Sequence, residues 1–337
     1  MTSRTTDVPR EEPEPQIAGR DDRRVTIAIL TYRRSDELRR AMRSVLATAS
    51  PGPRAGWRLE EILVIDNNPD GSAAPIVDRV RRTEGPTTDK TAPTIRYVHE
   101  AEPGIVAARN RALDEAAGDV LVFIDDDEIA LPGWPDGLLV TMRKTAAALV
   151  GGPVVTEFTE PPEQWVLDTG FFDVAPHPDG ALRTWLSTCN VAIDLPRVRT
   201  VGLRFDPRYP HGEDATFSRL AASKGLPLRW SATATVKEFV EPERTTLAWR
   251  RHRHRISTDA WVRTDLDLDP SLSNRATIVA RAASRLIQGL VAVGVGSVLG
   301  REATRNEGLA LVSQARGGID GLRRHRAERR GSSGVDR

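Results

Sequence analysis

A short apolar run that ends in consecutive acids constrains this chain more than any other feature. Val120 to Ile124 reads Val-Leu-Val-Phe-Ile, which is typical of a strand buried on both faces of a sheet. Asp125, Asp126 and Asp127 follow at once, where such a strand emerges. Adjacent carboxylates repel one another, and their oxygens suit hard cations such as Mg²⁺ and Mn²⁺. The stretch therefore predicts a metal-bound nucleotide at the sheet's edge, or else an acidic turn that caps a helix.

Strand and helix patterns alternate around this stretch, which predicts an α/β fold built on a parallel sheet with right-handed crossovers. The predicted strands are 25–31, 61–66, 95–98 and 119–124, with helices at 35–46, 74–82 and 102–117. Further along, strands are predicted at 149–155, 186–193 and 233–236, and helices at 138–148 and 211–223. From residue 245 the pattern is helical and rich in arginine.

The chain divides into three parts on this interpretation. Residues 1–24 are predicted to be a disordered tail, 25–245 an α/β domain, and 246–337 a basic, mostly helical region. The formal net charge is +1, but the stretch from Glu241 onward holds 18 Arg and 11 Asp plus Glu, a surplus of 7. An acidic body with a basic end is compatible with docking on an anionic membrane surface, or with a solvated arginine-rich surface.

Cysteine content and hydropathy predict the compartment. The one cysteine, Cys189, excludes an intramolecular disulfide, which suits a reducing environment. Residues 1–10 lack the apolar core of a signal peptide. The most apolar segment, 286–299, is too short to span a bilayer and follows Arg281 and Arg285. We expect a cytoplasmic protein in peripheral contact with the inner face of the cell membrane.

Five motifs in order give the chain a family resemblance. They are Thr31-Tyr-Arg-Arg34, Asp66-Asn-Asn-Pro-Asp-Gly71, Pro103-Gly-Ile-Val-Ala-Ala-Arg-Asn110, Asp125-Asp-Asp127 and Gly212-Glu-Asp214. Together, over roughly residues 25–255, they resemble family 2 glycosyltransferases with the GT-A fold. The resemblance implies an inverting enzyme that uses a nucleotide-diphosphate sugar, on a mostly parallel sheet flanked by helices, with a C-terminal helical extension.

The resemblance also implies which residues contact the sugar donor. The acid matching Asp66 contacts the nucleobase, typically uracil, which favours a UDP-sugar; a turn-forming role for Asp66 is the alternative. Asp125 would face the ribose or sugar, and Arg109 the nucleotide or its phosphates, unless Arg109 is an ordinary exposed helix residue. The implied donor-binding set is Thr31, Tyr32, Arg34, Asp66, Arg109, Asp125, Asp126, Asn190, Arg251 and Arg255.

Metal and base assignments follow from the same motifs. Asp127 is implied as a ligand of Mg²⁺ or Mn²⁺, and Glu238 stands where many relatives carry a metal-binding His. Asp214 matches the family's catalytic base, with Glu213 beside it, because a sugar hydroxyl needs a carboxylate to remove its proton. Glu213 and Asp214 would also suit a helix N-terminus that offsets its dipole.

Two other functions remain open at this point. A sugar nucleotidyltransferase would share the fold, but the Gly-rich, Lys-containing loop of that class is absent after strand 25–31. A silent nucleotide- or glycan-binding scaffold would not need the intact Asp125, Asp127 and Asp214. The expected partners are a nucleotide-sugar donor and a glycan or lipid-linked acceptor. Nucleic acid is not expected, because Arg250–Arg255 lacks interleaved aromatic residues and a recognised binding module.

Overall fold

The computed structural model describes residues 23–48, 56–85 and 93–332. The strands are β1 (Arg23–Thr31), β2 (Trp57–Asp66), β3 (Thr94–His99), β4 (Val120–Asp125), β5 (Glu128–Ala130), β6 (Leu149–Gly151), β7 (Val154–Phe158), β8 (Leu182–Arg183), β9 (Asn190–Asp194), β10 (Leu228–Trp230) and β11 (Val236–Val240). The helices are α1 (Ser35–Thr48), α2 (Ala74–Thr83), α3 (Ile105–Glu115), α4 (Trp134–Thr145), α5 (Gln164–Asp168), α6 (Leu195–Thr200), α7 (Glu213–Ser223), α8 (Leu247–Leu268), α9 (Leu272–Val298) and α10 (Glu302–Ser332), with a 3-10 helix at Pro242–Thr245.

An eight-stranded sheet with the order β3-β2-β1-β4-β9-β6-β10-β8 forms the centre of the protein. The pairs β3–β2, β2–β1, β1–β4 and β6–β10 are parallel, whereas β9 runs antiparallel to both β4 and β6, and β8 to β10. This arrangement confirms the predicted α/β class with a mostly parallel, helix-flanked sheet. A small second sheet, β5-β11-β7, places Glu238 opposite Glu128.

Alternate side chains of the central strands enter two separate cores. Ile27 and Ile29 of β1 pack with α1, α2 and α4 on one face, whereas Ala28 and Leu30 pack with α3, α6 and α7 on the other. Burial on both faces explains why these strands read as continuous apolar runs. In the second core Phe205 stacks on Phe217 of α7, with ring centroids 4.2 Å apart, which fixes α7 against the sheet.

The three C-terminal helices pack on one another beside α7. Gly289 of α9 and Gly308 of α10 permit a close approach of the two helices, because a Cβ at Gly289 would come within 2.7 Å of the Gly308 carbonyl oxygen. Helix α9 begins at Leu272, well before the apolar segment predicted at 286–299. By length and composition alone it would reach across a membrane, and 17% of its most apolar window is buried in the protein.

Several predicted boundaries needed correction. The predicted tail overlaps β1 at Arg23 and Arg24, because Arg23 pairs with Asp194 at 3.1 Å; residues 1–22 lie outside the described residues. Predicted strand 149–155 is two strands in different sheets, separated at Gly152-Pro153. The strand predicted at 233–236 is β11, Val236–Val240. The strand predicted at 186–193 begins only at Asn190.

Candidate active site

The carboxyl ends of β1 and β4 bring four of the predicted donor and metal residues together. Thr31 Oγ1 donates to Asp126 Oδ2 at 2.7 Å, because β1 and β4 are parallel neighbours. Arg34 Nη1 donates to Asp126 Oδ1 at 3.0 Å and to Asp127 Oδ2 at 2.6 Å. Burial raises the pKa of Asp126 to about 6, although Thr31 and Arg34 oppose the shift. Thr31 and Arg34 therefore hold the acids in place.

A second arginine, Arg244 in the 3-10 helix after β11, joins the two predicted metal ligands. Its Nη1 lies 2.7 Å from Glu238 Oε1 and 3.9 Å from Asp127 Oδ2, and its guanidinium lies 5.3 Å from the ring centroid of Trp249. Two carboxylates that converge on one cationic nitrogen also suit a divalent cation, since all the donor atoms are hard oxygens. The residues present therefore fit a Mg²⁺ or Mn²⁺ ion.

Three further titratable groups lie close together at this site. Potential ligand atoms of Asp125, Glu128 and Cys189 all lie within 4.8 Å of one another. Burial raises the pKa of Asp125 to about 7, with added repulsion from Asp127 and Asp126. Burial also raises the pKa of the Glu128 carboxyl and the Cys189 thiol well above their ordinary values. We refer to Asp125, Asp126, Asp127, Glu128 and Glu238 as the acid cluster; it favours either protons or a cation.

Helix α7 presents the two candidate bases. Gly212 precedes it with φ 73°, and a Cβ there would lie 2.8 Å from Ala260 Cβ on α8, so glycine is required at this turn. Asp214 Oδ2 accepts a hydrogen bond from Ser187 Oγ at 3.0 Å, and its side chain remains partly exposed. Glu213 is instead buried in an ion pair with Arg109. The geometry favours Asp214 as the base.

Arg109 is an internal cation and not an ordinary exposed helix residue. Its guanidinium is buried, pairs with Glu213 and lies 5.7 Å from the ring centroid of Phe205. Burial lowers the pKa of Arg109, but Glu213, Asp125 and Asp214 outweigh that effect and hold it above its ordinary value. Arg109 therefore lies between α7 and the acid cluster, and its contact with the nucleotide stays a prediction.

Two other predicted donor contacts have structural roles. Asp66 is fully buried, and its carboxylate accepts hydrogen bonds from the backbone N–H groups of Asn68 and Ala73 and from the Tyr97 hydroxyl. Asn190 donates to the carbonyl oxygens of Pro153 and Ala234 and accepts from Trp134 Nε1. Both side chains are therefore held in place by the protein itself, and their contact with the donor stays a prediction.

Arg251 and Arg255 face α10, and their contact with the donor stays a prediction. Arg251 Nε donates to Ser313 Oγ at 3.4 Å, and Arg255 Nε donates to Asp320 at 2.7 Å. Arg253 lies on another side of α8, is exposed, and its charge acts to lower the pKa of Glu213. Tyr32 is 51% exposed at the end of β1, and its donor contact stays a prediction.

Sequence reasoning missed five residues of the site: Ser187, Cys189, Glu128, Arg244 and Arg253. The signals available were weak. Ser187 and Cys189 lie just before a strand whose partner is β4, and Arg244 lies just after Glu238. Only the pairing of β4 with β9, and of β5 with β11, brings these segments to the acids.

A family profile and a similar protein show which family the chain belongs to. The sequence profile described as "Glycosyl transferase family 2" matches residues 26–191. The chain is 34% identical over 232 residues to the succinoglycan biosynthesis protein ExoM of Rhizobium meliloti (strain 1021), covering 68% of this chain and 71% of that protein. It is 30% identical over 139 residues to a glucosyl-dolichyl phosphate glucuronosyltransferase of Haloferax volcanii, covering 40% and 39%. Among solved structures it is similar to S. aureus TarS residues 1–349, with a TM-score of 0.48, 12% identity, and coverage of 87% and 90%.

Proposed function

Because the chain belongs to glycosyltransferase family 2, we propose that it transfers a sugar from a UDP-sugar to a hydroxyl of a glycan acceptor, with inversion at the anomeric carbon. The observation that carries this proposal is the position of the acid cluster at the strand ends, joined through Arg109 to the helix that carries Asp214. Family membership favours a transferase over a nucleotidyltransferase or a silent scaffold. The name of the relative from R. meliloti supports a role in cell-envelope polysaccharide biosynthesis.

The acid cluster is proposed to receive the donor diphosphate. Asp127 and Glu238 would hold Mg²⁺ or Mn²⁺, and the bound ion would offset the charge that develops on the leaving diphosphate. Arg34 keeps Asp126 and Asp127 aligned, and the 2.6 Å contact to Asp127 limits rotation of that carboxylate. Arg244 is a cation already present beside both metal ligands, where it can contact phosphate oxygens.

Asp214 is proposed to remove the proton from the acceptor hydroxyl. As the oxygen attacks the anomeric carbon, the new glycosidic C–O bond forms, the C–O bond to the diphosphate breaks, and the proton passes to the Asp214 carboxylate. One displacement inverts the anomeric configuration. Ser187 donates to one carboxylate oxygen, which orients Asp214 and leaves the other oxygen to accept the proton. Glu213 is occupied by Arg109 and has no such role.

Contact with an anionic membrane surface is proposed for α9. Its exposed apolar side chains form the α9 apolar face, which we define as Val279, Leu286, Ile287, Leu290, Val291, Val295 and Val298. Residues 272–301 contain four arginines and no Asp or Glu, so the charge is complementary to anionic lipid. Flotation with anionic liposomes tests this. Binding at low salt that high salt reverses supports peripheral docking; resistance to salt and carbonate, or no binding, contradicts it.

A screen of nucleotide-sugar donors with and without Mn²⁺ tests the function as a whole. We expect one donor, a UDP-sugar, to raise the melting temperature in a Mn²⁺-dependent way. Asp127→Asn should abolish the Mn²⁺-dependent part while leaving the fold intact. Asp36→Asn, at an acid that is exposed in the first turn of α1, is the matched control and should change nothing. Equal donor stabilisation with and without Mn²⁺ in the parent protein would contradict the metal assignment.

A further inference from the structure

A cavity of about 250 Å³ lies between α8, α9 and α10, apart from the acid cluster. Trp261 and Ser257 of α8, Arg281 and Arg285 of α9, and Gln314 of α10 line it. The assigned chemistry of the protein uses none of these residues. Both sides of the cavity mix polar and apolar side chains, and the arginines come from α9.

The charges of this cavity are unbalanced. Arg281 and Arg285 are four residues apart on one helix, and within the described ranges neither forms an ion pair with a carboxylate. The one acidic side chain in the lining, Asp265, already pairs with Arg219 of α7. Burial, followed by the charges of Arg250, Arg253 and Arg285, lowers the pKa of nearby His254 to about 4. The surroundings therefore favour an anion.

Aromatic side chains connect the cavity to the proposed base. The Trp261 ring meets the edge of Trp185, with centroids 5.8 Å apart, and Trp185 is 38% exposed. Trp185 lies two residues before Ser187, which holds Asp214. Arg219, over the Trp261 ring at 4.2 Å, lies on the same helix as Asp214, about 7.5 Å further along its axis. The cavity therefore borders the helix that carries the proposed base.

We propose that this cavity binds the phosphomonoester headgroup of an anionic membrane lipid. The proposal rests on the membrane contact proposed for α9, because it names the headgroup that this contact selects. Two guanidiniums one turn apart suit a terminal phosphate, which carries more charge and more free oxygens than a phosphodiester.

The position of Arg281 and Arg285 on α9 selects a lipid as the source of that phosphate. At 100° per residue they lie between the buried residues Ile278 and Ala282 and the far edge of the α9 apolar face. A headgroup in the cavity would therefore leave its hydrocarbon chain beside exposed apolar side chains. A free phosphate ester would gain nothing from that face.

Vesicle binding of the full chain, measured without donor and in EDTA, tests the proposal. Phosphatidylcholine vesicles would carry either phosphatidic acid, a phosphomonoester, or phosphatidylglycerol, a phosphodiester, at matched zeta potential. We expect phosphatidic acid vesicles to bind about tenfold more tightly. The double variant Arg281→Gln/Arg285→Gln should lose this preference. Arg301→Gln, outside the cavity, should weaken both kinds of binding equally, by about fivefold.

Three results would overturn the proposal. The first is equal binding of the two vesicle types, and the second is a preference that survives in the double variant. The third is soluble glycerol phosphate binding as tightly as the vesicles, which would assign the cavity to a free phosphate ester. Asp127→Asn should leave vesicle binding unchanged, so a failure here is distinct from a failure of the donor chemistry.

Discussion

The acid cluster and the α8–α10 cavity have excess charges of opposite sign. At the sheet edge the carboxylates exceed the cations, even though Arg34 and Arg244 each hold part of the cluster. In the cavity the guanidiniums of Arg281 and Arg285 exceed the carboxylates, because Asp265 is already paired. The charge left over after pairing, and not the net charge of +1, indicates what each region binds. The edge favours a cation with its diphosphate, and the cavity an anionic headgroup.

Between the two regions lies α7, whose N-terminus carries the proposed base. The largest expected effect of a single change is therefore Asp214→Asn. It keeps size and hydrogen bonding but cannot accept a proton, so turnover should fall by roughly two to four orders of magnitude. Donor affinity, measured by calorimetry, should stay constant, because the proposed mechanism places Asp214 on the acceptor side.

Ser187→Ala should lower turnover less than Asp214→Asn does. It removes the hydrogen bond to Asp214 Oδ2 and should lower turnover by about tenfold, the equivalent of one hydrogen bond to a charged group.

Near-normal transfer by Asp214→Asn would assign the proton transfer to another group. Loss of donor affinity in that variant would place Asp214 on the donor side and so erase the distinction between the two regions.

Removal of the buried Arg109 cation should lower the free energy of unfolding strongly. Arg109→Met leaves Glu213 buried without a partner and should lower the free energy of unfolding by about 3 kcal/mol. Arg204→Met is the matched control, because its pair with Asp114 is about half exposed, and it should cost at most about 1 kcal/mol. Urea denaturation of both variants measures the difference. Equal effects would show that burial of the Arg109 pair is not what stabilises α7.

Asp125→Asn should raise stability while it impairs activity. Its folded pKa of about 7 lies above the unfolded value of about 3.9, so the folded state retains a proton that the unfolded chain loses. The parent protein therefore loses stability relative to the variant as pH rises from about 4 to about 7. Without metal, the variant's melting temperature should be higher by about 2 °C above pH 7 and equal below pH 4. A constant difference across this range would contradict the raised pKa.

The sequence predicted the central sheet well because strands that are buried on both faces consist of continuous apolar residues. Val120–Ile124 and residues 62–65 read as apolar runs, and the acids at the end of the first run lie at the sheet's edge as predicted. The small second sheet was harder to predict. Its strands are three to five residues long and pair across distant parts of the chain, which no local pattern indicates.

Side-chain roles were less predictable than strand positions. Asp66 and Asp125 both end buried strands, but their side chains have different surroundings. Asp66 accepts hydrogen bonds from backbone N–H groups of the following turn, whereas Asp125 lies in the acid cluster. The strand pattern alone does not distinguish these two cases. Arg251 and Arg253 are two residues apart and so differ by about 200° around α8. Which one faces α10 depends on how the C-terminal helices pack, and an arginine-rich run does not indicate that.

A crossed binding measurement tests the division between the two regions most directly. Donor affinity with Mn²⁺ and phosphatidic acid vesicle affinity in EDTA would both be measured for Asp127→Asn and for Arg281→Gln/Arg285→Gln. The account predicts that Asp127→Asn weakens donor binding alone, and that the double arginine variant weakens vesicle binding alone, each by about tenfold or more. If either variant weakened both, the acid cluster and the cavity would be one site, and the account would be wrong.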